Sequence, residues 1–175
     1  MADLRDTISD HMGRFESLMK KIPGYGGYKE KEMRREADTL LRDHLARQLS
    51  EQLTKAEDVT SQMLIGPGIA LLDDMGKANT RLQTLIDKVR TAAQGYAGLF
   101  DAVKVKEEEL DKLYAFDEQI VAKVDEISQA IEGVQAALDG GEADQVGPSV
   151  RRYTKTVTDT SALFDQRRDN MLGLS

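Results

Sequence analysis

Starting at Leu71 and stepping alternately four and three residues, the chain places Met75, Ala78, Leu82, Leu85, Val89, Ala92, Tyr96, Leu99 and Val103 on one line. The same count continues through Leu110, Leu113, Ile120, Val124, Ile127, Ile131, Val134 and Leu138, with only Lys106 and Asp117 polar. An apolar position every 3.5 residues puts one narrow stripe on a helix, which has to be buried against other helices. The pattern predicts an all-α protein.

Other stripes flank this seam. Leu4, Ile8, Met12, Phe15, Met19 and Ile22 step by three or four behind Asp3, an N-cap residue, and predict a short amphipathic N-terminal helix. Pro23-Gly24-Tyr25-Gly26-Gly27 ends it as a hinge. A second helix is expected over 28–65, with Met33, Ala37, Leu41, Leu45, Leu49, Leu53, Ala56 and Met63 on its inner face. Gly66-Pro67-Gly68 breaks the chain, because proline lacks an amide hydrogen and glycine resists helix. Gly140-Gly141 closes the long seam, and Gly147-Pro148-Ser149 is expected to start the last helix, with Ser149 or Asp144 as its cap. The stripe of that helix is Val150, Tyr153, Val157, Thr160, Phe164 and Met171.

Two layouts follow. A chain reversal near Lys106 gives helices over 28–65, 69–104, 106–139 and 142–172, an antiparallel four-helix bundle. Without it, 69–139 is one rod of ~105 Å in elongated helical coiled-coil hairpins. The bundle is favoured because the reversal would gather Tyr96, Phe100, Tyr114 and Phe116 into one layer. Against it, the heptad phase runs on through the site of the turn. Either way, residues 1–27 form an N-terminal helix and hinge, and 28–175 form the helical domain.

Charge narrows the function classes. Thirty-one acidic side chains against 24 basic ones give −7, whereas a nucleic-acid binder needs a clustered basic face. The absence of Cys excludes disulfides and thiolate zinc sites and agrees with a cytoplasmic setting. The longest apolar run, Leu64 to Leu72, is far below the ~20 residues of a membrane span. Charge also chooses a neighbour for the last helix. Residues 107–144 hold twelve acids against Lys112 and Lys123, while Arg151, Arg152, Lys155, Arg167 and Arg168 oppose Asp159 and Asp165, so the two helices are expected to lie antiparallel.

No catalytic constellation emerges, and neither a metal nor a cofactor is expected. Neither His11 nor His44 has a carboxylate three residues before it, as a di-metal bundle site requires. Glu107, Glu108, Glu109 and Asp111 lack the spacing of a calcium loop. Asp117 is the residue that stands out: a carboxylate in the core phase between Leu113 and Ile120 is costly to bury alone. One reading pairs it with an arginine such as Arg151 or Arg152, fixing helix register; the other leaves it on an exposed stretch of seam.

The expected function is that of a non-enzymatic scaffold or adaptor, associating with a protein partner, with itself as a homo-oligomer, or with both. The alternative starts from the N-terminal stripe at Leu4, Ile8, Met12, Phe15 and Met19 followed by long helical hairpins. That helix layout resembles in outline the phage-shock and ESCRT-III-like proteins. The resemblance implies a peripheral membrane protein that docks on lipid through residues 3–22.

Overall fold

The computed structural model describes residue 21, residues 31–92 and residues 107–171, with side chains over 39–92 and 115–169. Four α-helices account for most of them: α1 (Lys31–Gln62), α2 (Leu72–Thr91), α3 (Glu107–Asp139) and α4 (Ala143–Met171). A single 3-10 turn, Ile69–Leu71, leads into α2. No strand occurs among the described residues, and the molecule is an all-α helical bundle.

Hydrogen bonds between helices fix the arrangement. Asn79 on α2 reaches Thr60 on α1, Gln135 on α3 reaches Gln62 on α1, Lys88 on α2 reaches Asp165 on α4, and Arg167 on α4 reaches Asp117 on α3. These contacts set α1 antiparallel to α2 and α3 antiparallel to α4, while α1 runs parallel to α3 and α2 parallel to α4. The last helix thus lies antiparallel along the acidic one, as the charge distribution suggests. Helix α1 adjoins α2 and α3, and α4 adjoins α3 and α2, so α2 and α3 stand on a diagonal.

Lys88 and Asp117 both meet the C-terminal part of α4, which requires the chain to reverse between Ala92 and Glu107. The continuous rod is therefore replaced by the bundle. Lys106 and the aromatic residues Tyr96 and Phe100 lie outside the described residues; Phe116 is half-buried.

The heptad seam becomes the core. Met75, Ala78, Leu82, Leu85 and Val89 from α2 are buried, as are Ile120, Val124, Ile127, Ile131 and Val134 from α3. Leu41, Leu45, Leu49, Leu53, Ala56 and Met63 close the α1 side, and Val146, Val150, Tyr153, Val157 and Phe164 close the α4 side. The register places Ala56, Leu82, Ile127 and Val157 at one level near the middle, where all four are fully enclosed.

Three boundaries differ from the sequence expectation, the first being that α2 starts at Leu72, after the 3-10 turn, and not at residue 69. Helix α1 ends at Gln62, and Met63–Ile65 form a turn. Helix α4 starts at Ala143, with Pro148 inside it, so that neither Gly147-Pro148 nor Ser149 begins the helix. Val146 lies four residues before Val150 and is wholly buried, so one more turn of helix extends the apolar stripe. That burial offsets the backbone hydrogen bond that proline cannot donate.

At the turn between α1 and α2, Gly66 has φ +100°, a left-handed conformation that glycine adopts without strain. Gly68 is buried for a different reason. A Cβ there would come within 2.8 Å of the Met63 side chain and 2.9 Å of Leu138 Cδ2 on α3. Gly68→Ala is expected to destabilise by about 1–3 kcal/mol through overpacking, read as a lowered melting temperature.

Candidate interaction surface

Asp117 is buried to 1% exposure, and its Oδ1 accepts from Arg167 Nε at 2.5 Å. Arg167 is itself 1% exposed. The arginine partner therefore comes from the last helix but is neither Arg151 nor Arg152, which are exposed near the opposite end of α4. Arg167 continues the four-three count of its helix: Val146, Val150, Tyr153, Val157, Thr160, Phe164, Arg167. A charge on each facing seam, at the same level, is the signal that identifies the pair.

A second polar path crosses the bundle nearer the α1–α2 turn. Tyr153 Oη donates to Asn79 Oδ1 at 3.1 Å, Asn79 Nδ2 donates to Thr60 Oγ1 at 3.0 Å, and Thr60 donates to the Ala56 carbonyl at 2.6 Å. Three helices are tied by one chain of donors. Burial, reinforced by the negative charge of Glu57, pushes the Tyr153 hydroxyl well above the usual tyrosine range. The folded state thus holds this proton where the unfolded chain releases it, and the resulting stability is lost as pH rises above ~10. Tyr153→Phe is expected to cost ~1 kcal/mol at neutral pH, a difference that narrows in denaturant melts near pH ~11.5.

Asp117, Arg167 and Tyr153 are closed off from solvent, while Asn79 and Thr60 are half-buried. Among the described residues, no group of three or more His, Asp or Glu could hold a metal ion. His44 is half-buried, its Nδ1 lies 3.4 Å from Arg47 Nη2, and burial lowers its pKa. His11 lies outside the described residues, as do Leu4, Ile8, Met12, Phe15 and Met19 of the N-terminal stripe. Side chains at Glu107, Glu108, Glu109 and Asp111 are outside them too. A groove between α1 and α2, lined by Asp43, Arg47, Ser50, Glu51, Thr54 and Arg90, is open to solvent. Its carboxylates and guanidiniums are interleaved, so a charged ligand would meet both signs.

The exposed apolar surface is elsewhere. Among the described residues the large hydrophobic side chains standing in solvent are Leu64, Ile65 and Ile69, at 61%, 86% and 60% exposure. All three belong to the α1–α2 turn. Met63 and Gly68 point inward and pack toward Leu138, so the intervening Leu64, Ile65, Gly66 and Pro67 are held outward. Backbone bonds from Ile65 N to Gln62 O and from Leu71 N to Gly68 O brace both sides of the tip.

Sequence reasoning uses the Leu64–Leu72 run only to exclude a membrane span. The further signal is that an apolar run crossing Gly-Pro-Gly cannot bury every side chain when the turn closes. Among the described residues no helix is long and apolar enough to cross a membrane. No protein family, curated protein or solved structure matches the chain.

Proposed function

We propose that the chain is a non-enzymatic helical adaptor that holds the α1–α2 tip, Leu64, Ile65 and Ile69, for association with a protein partner. The gathering of these three side chains on one braced turn carries the reading. Single exposed hydrophobics are ordinary on a protein surface, but a cluster on a fixed turn supplies the apolar centre that a protein interface needs. The four helices bury their own stripes against one another, so the core does not require the tip to be covered.

The triple variant Leu64→Ser/Ile65→Ser/Ile69→Ser tests this reading. Its melting temperature is expected to stay within ~3 °C of wild type, since the replaced side chains already face solvent. Quantitative co-purification from the cells that express the protein is expected to lose its specific partners with this variant. A control at exposed helical positions, Gln83→Ser/Gln129→Ser, is expected to keep them. Equal recovery of the same partners by wild type and the tip variant contradicts the proposal.

A further inference from the structure

We propose that the tip receives a segment of a partner protein in which large apolar side chains are flanked by lysine or arginine. The inference rests on the tip being the adaptor surface and adds the chemistry of what binds there. Around Leu64, Ile65 and Ile69 the ends of the four helices bring together Asp58, Asp73, Asp74, Asp139, Glu142 and Asp144, all exposed. The cations in the same segments are Lys55, one turn before Asp58, Lys77, which is tied to Asp73 at 2.6 Å, Arg151, whose guanidinium lies back toward Gly147, and Arg152. The carboxylates outnumber these cations, so the rim of the apolar centre carries a net negative charge.

Charge discriminates among occupants of an apolar patch. An anionic lipid surface would bring its own negative potential against these carboxylates. A second copy docking tip to tip would set two such rims against each other, and like charges across an interface oppose association. A basic segment gains attraction at each rim contact while its apolar side chains cover Leu64, Ile65 and Ile69. The rim chiefly supplies orientation and partner choice, and the covered apolar area supplies affinity.

The test selects short random peptides from a display library on the full-length chain and measures their affinities for three proteins. These are wild type, the Leu64→Ser/Ile65→Ser/Ile69→Ser variant, and a rim variant, Asp139→Asn/Glu142→Gln/Asp144→Asn, each first confirmed folded by its melt. Peptides that require the tip are expected to carry Lys or Arg beside Leu, Ile or Phe. Their affinity is expected to fall about tenfold in the rim variant and by a similar factor between ~50 and ~500 mM salt. Tip-dependent peptides that are neutral or acidic overturn the basic-partner inference while leaving the adaptor reading standing. Absence of any tip-dependent peptide overturns both. Tip-dependent flotation with phosphatidylcholine or phosphatidylserine vesicles, or a dimer by light scattering that the tip variant abolishes, also overturns it.

Discussion

Asp117→Ala is expected to lower stability by about 3–5 kcal/mol, because it removes the carboxylate bound to a guanidinium that is only 1% exposed. For a chain of this length, that loss lowers the melting temperature by roughly 6–20 °C. The double variant Asp117→Leu/Arg167→Met is expected to recover most of it, since a buried pair exchanged for apolar side chains of similar volume is often neutral. The difference between the single and double variants separates the cost of removing one buried partner from the net value of the pair. Oligomeric state and partner binding, measured on both, address register. If Asp117→Leu alone melts higher than wild type with both properties unchanged, the pair does not act as a specificity device.

The second large effect lies in the middle of the bundle. Leu82 is wholly buried at the level of Ala56, Ile127 and Val157, enclosed by side chains of the other three helices in a close-packed interior. Leu82→Ala is expected to cost about 2–5 kcal/mol, the lost transfer energy plus the cavity left by partial relaxation. Chemical denaturation is expected to show a lower midpoint at unchanged slope, as a loss of packing without a change in the surface exposed on unfolding. The exposed α2 neighbour Thr84, replaced by alanine in parallel, is expected to move the midpoint little.

These two positions also show what the sequence could and could not disclose. Leu82 lies on a 3.5-residue stripe that the structure buries from Met75 to Val89 on α2 and from Ile120 to Val134 on α3, because a helix can hide a narrow apolar face only against its neighbours. The chain reversal was harder to see. Ala92 and Lys106 stand two heptads apart, so a connection of that length returns the count to the same phase, and two helices read as one. Asp117 is conspicuous because it interrupts apolar neighbours, while Arg167 enters the sequence reading only through the basic charge of the last helix although it sits in the same periodic slot. On α1, Arg42 and Gln52 are likewise buried in seam positions, since this helix faces both α2 and α3 and its inner face is wider than one stripe.

The proposed binding surface was least legible for a related reason. Periodicity reports which side chains are buried within helices and carries no information about a turn. Leu64, Ile65 and Ile69 become distinctive only once Met63, Gly68 and Leu138 have packed together and left them outside.

Site-specific photocrosslinking in cells tests the adaptor reading most directly. A photoreactive phenylalanine analogue is placed in turn at position 65, on the tip, and at positions 83 and 129, on exposed helical faces. The account predicts discrete partner adducts from position 65 that are absent from the other two. Adducts of equal yield from 83 or 129, or none from 65 while those positions crosslink, would contradict it.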